Sequence, residues 1–165
     1  MPVASVGDTA DATKTITRSD IEAYADLVGD TNPIHVDTDY AEDTMFDGRV
    51  AHGMLSAGVL SAALADLDGD IVYLSQDLQF EAPVRPDETV TAHVEIVEDL
   101  GNDQLRANTT VTTHTDTPDE TTVLSGDAIV MSVPHETPES NDVTGDAETD
   151  AADAETDAAD ATCDD

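Results

Sequence analysis

The sequence predicts an α+β domain in which a curved antiparallel sheet wraps one long helix. Residues 52–67 are almost wholly apolar or small, and long enough for about four helical turns. Most of the chain downstream is rich in Thr and Val with a period of two, and no further helical pattern interrupts it. One central helix followed by successive antiparallel strands shares a single core only if the sheet curls around the helix.

Each element follows in chain order. Residues 14–17 read as a short strand. Ser19 or Asp20 then supplies an N-cap for a helix over 21–28, where Ile21, Tyr24, Ala25 and Val28 share one face and Gly29 ends the run. Residues 30–35, Asp-Thr-Asn-Pro-Ile-His, are predicted as a loop, because Pro33 disfavours helix at Asn32. A further short helix is expected over 39–45. In the long apolar stretch, Met54, Leu55, Val59, Leu60 and Leu64 are interspersed with Gly53, Ser56, Ala57, Gly58, Ser61, Ala62 and Ala63. Such a helix is apolar nearly all round and slim, and is predicted to be buried at the centre. Residues 66–70, Asp-Leu-Asp-Gly-Asp, break the chain. A strand over 71–80 ends at Pro83 and Pro86, and Val90, Ala92, Val94 and Ile96 alternate with Thr91, His93 and Glu95 as in a half-buried strand. Two more strands, over 105–115 and 121–133, complete the sheet. A single such layer leaves a sheet edge and face uncovered, so a homodimer is expected.

The chain has 165 residues, enough for one domain. Residues 1–135 form the expected domain. Residues 136–165 are a different material: DAETDAA occurs at 146–152 and again at 153–159, with no aromatic or large aliphatic residue between 144 and 165. That composition predicts an acidic, low-complexity, disordered tail, read as a solvating appendage or a docking segment. Thirty-eight Asp and Glu oppose five Lys and Arg, a net charge of -33, and twelve of the acids lie in the tail. The body is therefore acidic on its own. Such a balance excludes the basic footprint of a nucleic-acid binder and argues against an anionic membrane surface. No apolar run reaches the length of a transmembrane helix, and the start shows no signal-peptide pattern, so a cytoplasmic location is expected. Asp outnumbers Glu, and Lys14 is the only lysine. A cytoplasm of very high salt explains this composition, since salt screens the repulsion among hydrated carboxylates; the other reading is an acidic protein from an ordinary cell. Cys163 is the only cysteine, so no intramolecular disulfide can form.

Two segments carry chemistry. In the first, Asp30 and His35 flank the rigid Asn32-Pro33 pair, so a carboxylate and an imidazole can aim at one point and polarise a water there. Asn32 and Pro33 support the turn itself. The residues alone are also compatible with Asp30 as a loop cap and His35 as a packed ring. In the second, Phe-Asp-Gly-Arg-Val-Ala-His-Gly-Met-Leu over 46–55 runs into the long helix. Gly53 at the helix start presents free N–H groups at the positive end of the dipole, suited to a carbonyl oxygen that gains charge. The alternative is a Gly53 kept for tight packing and a His52 kept as a cap. Ser61 could reach the same cavity, or bond to its own helix. Leu64 and residues near Val130 are plausible pocket walls. No metal site is read: the 66–70 turn misplaces the glycine of a calcium loop, and His93, His114 and His135 lie far apart without a Cys partner.

DTNPIH followed by FDGRVAHGML and a small-residue helix resembles the MaoC-like dehydratases, close to the (R)-specific enoyl-CoA hydratases, with a similar strand at Tyr73-Leu-Ser-Gln76 and Phe80. The likeness runs from about residue 17 to 133. It implies a hot-dog fold paired into a dimer. It implies Asp30 and His35 as the catalytic pair, Gly53 as the oxyanion amide and Ser61 as a serine near the pair. The implied reaction is reversible syn-addition of water across a trans-2-enoyl-CoA, giving a (3R)-3-hydroxyacyl-CoA. That activity would feed β-oxidation intermediates into (3R)-hydroxyacyl-CoA metabolism, with polyhydroxyalkanoate synthesis as one route it could supply. No cofactor is implied, since the coenzyme A thioester is the substrate. CoA phosphates call for cations, and only Lys14, Arg18, Arg49, Arg85 and Arg106 exist; Arg85 in its Pro-Val-Arg-Pro loop is the candidate contact. Two other readings are a hydratase for a branched or dicarboxylic acyl-CoA, and a non-catalytic acyl-CoA-binding or assembly subunit. Retention of both Asp30 and His35 speaks against the latter.

Overall fold

The computed structural model describes residues 3–114 and 120–135. The first strand, β1, runs over Thr9–Ile16, longer than its sequence suggests. It carries little apolar signal because it is an edge strand, held along its length by β4 (Glu88–Gly101). Hydroxyl pairs Thr13–Thr91 and Thr15–Thr89, at 3.1 and 2.8 Å, stitch the two strands together.

Helix α1 covers Arg18–Val28. Its N-cap is Thr17, not Ser19 or Asp20. The Asp20 amide donates to Thr17 Oγ1 at 3.1 Å while Asp20 Oδ2 accepts from the Thr17 amide at 2.9 Å. This reciprocal box satisfies two end groups at once and outcompetes a cap two residues later. Gly29, at φ 79°, ends the helix in the left-handed conformation. Residues 33–36 correct the predicted loop. Asn32 caps a one-turn helix, α2 (Pro33–Val36), and Pro33 stands at its first turn, where a missing N–H costs nothing. The restriction on Asn32 holds, but it marks a helix start. A second short helix, α3, spans Thr38–Glu42.

The long helix α4 covers Gly53–Ala65 and packs against β1, β4 and β5 (Gln104–His114). It is not buried all round. Val59, Leu60, Ala63 and Leu64 enter the core, whereas Met54, Gly58, Ser61, Ala62 and Ala65 are exposed. One curled sheet covers only one side of a helix, so the opposite small-residue face stays open within a single chain.

The sheet is antiparallel throughout, with order β1-β4-β5-β6-β2, where β6 is Glu120–Val133 and β2 is Asp70–Gln76. The predicted strand over 71–80 is split. A register shift falls between Tyr73 and Ser75, and β3 (Gln79–Phe80) pairs separately with β6. At the break the chain crosses so close to β6 that a side chain at Gly126 would collide with the Asp77 carbonyl, so only glycine fits there. Ile16, Ile21, Leu60, Leu64, Val94, Val111, Leu124 and Val130 fill the core between α1, α4 and the sheet. The arrangement is the hot-dog fold. Residues 115–119, at the junction of the last two expected strands, and the acidic tail at 136–165 lie outside the described residues.

Candidate active site

Three segments meet at the N-terminus of α4. The turn after α1 brings Asp30, α2 brings His35, and the start of α4 brings Gly53 with its N-cap residue His52. Asp30 Oδ1 accepts from the Asn32 amide at 3.3 Å, and Asn32 Oδ1 accepts from the Ile34 amide at 3.5 Å. Asp30 is exposed; His35 is buried. The His35 Nδ1–H donates to the Val50 carbonyl at 2.8 Å. A carbonyl only accepts, so neutral His35 carries its proton on Nδ1 and leaves the Nε2 lone pair free. Asp30, His35 and His52 each offer an atom within 4.8 Å of the other two. That spacing would also admit a metal ion, although the acid–base reading of these groups calls for none.

Burial holds the His35 imidazole below the ordinary histidine value. The neighbouring His52 and Arg49 act in the same direction, while the Val50 bond and the Asp30 carboxylate oppose it. His35 is thus biased toward the neutral form, which can accept a proton.

Beside the pair lies a cavity of about 600 Å³. His35, Gly53 and Ser56 reach it, and Ile34, Phe46, Met54, Phe80, Val84 and Leu124 give it apolar walls. Gly53 opens α4, so its N–H belongs to the unpaired first turn and points out of the helix end. A Cβ at Gly53 would lie 2.7 Å from Phe80 Cε1, so the absence of a side chain brings the Phe80 ring close against this end. The arrangement offers an imidazole biased toward its neutral form, a nearby carboxylate, a helix-start amide and an apolar trough close together. Those parts suit addition or removal of water next to a carbonyl on an apolar chain.

The structure places Asp30 and His35 close together and His35 and Gly53 on the same cavity, with Asn32 and Pro33 in the turn between Asp30 and His35. Ser61 does not join them. It is exposed on α4 and does not line the cavity, whereas Ser56 does. Five residues separate the two, and at about 100° per residue they point roughly 140° apart around the helix. Leu64 and Val130 are core residues, not pocket walls. Arg85 is exposed; its guanidinium donates to the carbonyls of Phe46 at 2.6 Å and Asp47 at 3.4 Å, bracing the turn before Arg49. Arg49 leaves the set of candidate phosphate contacts, because it is buried and bonded to His35 and Glu22. Sequence reasoning missed the structural parts played by Arg49, His52 and Ser56. The one available signal was the place of Arg49 and His52 in the segment running into the small-residue helix, and of Ser56 in that helix's first turn.

A curled antiparallel sheet packed on one long helix, with Asp30 and His35 close together near the start of that helix, defines a hot-dog protein. A family model described as the MaoC like domain matches residues 3–119, and the chain belongs to that family. An (R)-specific enoyl-CoA hydratase of Rhodospirillum rubrum is 52% identical over 92 residues, covering 54% of this chain and 64% of that protein. A 3-hydroxybutyryl-CoA dehydratase of Methylorubrum extorquens is 40% identical over 127 residues, covering 76% and 78%. Among solved structures, the unliganded R-hydratase PhaJ1 from Pseudomonas aeruginosa superposes with a TM-score of 0.70 at 35% identity, covering 81% of this chain and 84% of that one.

Proposed function

We propose that this chain, a hydro-lyase like the named relatives, is an (R)-specific enoyl-CoA hydratase. Its reaction is reversible syn-hydration of a trans-2-enoyl-CoA to a (3R)-3-hydroxyacyl-CoA. The observation that carries this reading is the convergence of Asp30, His35 and the Gly53 amide beside an apolar cavity. Asp30 and His35 hold one water between them. One of the two takes its proton as the oxygen bonds to C3, the C2–C3 π electrons move toward the thioester, and a proton is delivered to C2. The Gly53 N–H stabilises the charge on the thioester oxygen, a task valued at roughly 3 kcal/mol for comparable donors. The apolar walls take the acyl chain. Dehydration is the same path reversed, so the two relatives' names describe one reaction class. No cofactor takes part, since coenzyme A belongs to the substrate.

A homodimer forms part of this reading: Val72, Tyr73 and Leu74 lie exposed on the outer strand β2, a row that a second copy would cover. Supply of (3R)-hydroxyacyl units to polyhydroxyalkanoate synthesis, and a cytoplasm of high salt, complete it. Among the described residues no helix is long and apolar enough to cross a membrane. The test is incubation with crotonyl-CoA followed by chiral separation of the product. The account predicts (3R)-3-hydroxybutyryl-CoA; the (3S) product or a racemate would overturn it.

A further inference from the structure

His52 is the one ring in the site that touches both members of the pair. It stands at the N-cap of α4, yet its side chain makes no capping bond. Its Nε2–H instead donates to the main-chain oxygen of Asp30 at 2.9 Å. Its ring lies on His35, centroids 3.8 Å apart and planes 31° apart, with Tyr24 behind it at 5.0 Å. It is buried, and its Nδ1 has no hydrogen-bond partner.

We infer that His52 is a positioning residue, a strut that fixes Asp30 and His35 at a set distance from the Gly53 amide. The inference rests on the hydratase reading and adds a residue to it. Gly53 follows His52 in the chain, so whatever holds the His52 backbone also holds the amide. From that point one ring reaches the Asp30 main chain through a directed bond and the His35 ring through stacking. Packing alone would favour another residue here. A phenylalanine would stack as well and would leave no buried nitrogen without a partner, a state that ordinarily costs stability. What only the imidazole supplies is a flat ring with a donor at its tip. The Asp30 carbonyl can only accept, so neutral His52 carries its proton on Nε2.

The charged and titratable groups around His35 are the Asp30 carboxylate, the His52 imidazole and the Arg49 guanidinium, the last tied to Glu22, with the Tyr24 phenol beyond His52. His52 opposes protonation of His35, so its removal has an effect on pH dependence that a merely structural residue would not produce.

Two full-length variants separate the parts: His52→Phe keeps the ring without the donor, and His52→Gln keeps a donor without the ring. With crotonyl-CoA, His52→Phe is expected to lower kcat roughly tenfold or more, because small misplacements of reacting groups are costly. Its KM should stay within about twofold, and the acid limb of its pH profile should move to higher pH. His52→Gln should recover part of the lost kcat. A His52→Phe enzyme with wild-type kcat, or equal losses in both variants with an unmoved acid limb, would overturn the inference. Nitrogen-15 NMR of histidine-labelled wild-type protein tests it independently of folding in the variants and of any activity. The Nε2-protonated tautomer of neutral His52 is expected, and the Nδ1 tautomer would overturn it. Wild-type protein inactive on enoyl-CoA would count against the hydratase reading and leave the tautomer test of the strut in force.

Discussion

The guanidinium of Arg49 donates through Nε to the main-chain oxygen of His35 at 2.6 Å, and through both terminal nitrogens to Glu22 at 3.3 Å. The side chain is buried, and it joins α1 to the end of α2 where His35 stands. Lysine at 49 would offer one compact charge in place of a planar fork and could not reproduce both contacts. Arg49→Lys is expected to cost about 2 kcal/mol by leaving a buried acceptor poorly matched. It should also lower kcat by loosening His35. Denaturant melts and steady-state kinetics on the same protein check both effects.

Gly53 and Phe80 form a pair whose coupling is measurable. A methyl group at Gly53 would meet the Phe80 ring at 2.7 Å, and that ring is 55% exposed. Gly53→Ala is expected to lower kcat/KM about tenfold by displacing the ring into the trough. Phe80→Ala alone should have a smaller effect, and the double variant should regain most of the loss. A double-mutant cycle reports the interaction directly, and strict additivity would show that the two residues are not coupled.

Protonation of His35 is expected to oppose both folding and, on the proposed mechanism, turnover. Burial holds its folded-state pKa below the ordinary value of 6.5, so the unfolded chain takes up a proton where the folded chain does not. The stability linked to this group is fully present above 6.5 and is lost as the pH falls from there to the folded-state value. The acid limb of kcat/KM should accordingly lie below pH 6.5. Thermal melts across that range should show a steeper acid loss in wild type than in His35→Gln.

Salt dependence follows from the charge. The body alone is strongly acidic, and at about 1 M salt the screening length falls to roughly 3 Å. Far-UV circular dichroism and melting temperature should both decline when KCl is lowered from molar to millimolar. Unchanged values would show that the acidity is not an adaptation to salt.

The elements legible in the sequence were those whose cause is local or periodic. The α1 face of Ile21 and Ala25, the Gly29 stop, the long apolar helix and the alternation of Val90, Ala92, Val94 and Ile96 all reappear in the structure. What the sequence hid depends on distant partners. The length of β1 comes from β4, the break between β2 and β3 comes from the close passage over Gly126, and the open face of α4 comes from a sheet that covers one side only. The same division holds in the site. Asp30, His35 and Gly53 stand in short motifs whose residue types point to chemistry. Ser61 was assigned by likeness and faces away, while Arg49 and His52 act through main-chain oxygens far along the chain, at His35 and Asp30. Bonds to backbone acceptors leave no mark on residue type, so spacing cannot disclose them.

The central claim is that Asp30 and His35 together perform the hydration. Its most direct test is the loss of enoyl-thioester absorbance from crotonyl-CoA in molar KCl, measured for wild type, Asp30→Asn and His35→Gln, with folding checked by circular dichroism. The account predicts rapid turnover in wild type and its near abolition in both folded variants. Turnover that survives either substitution would contradict it.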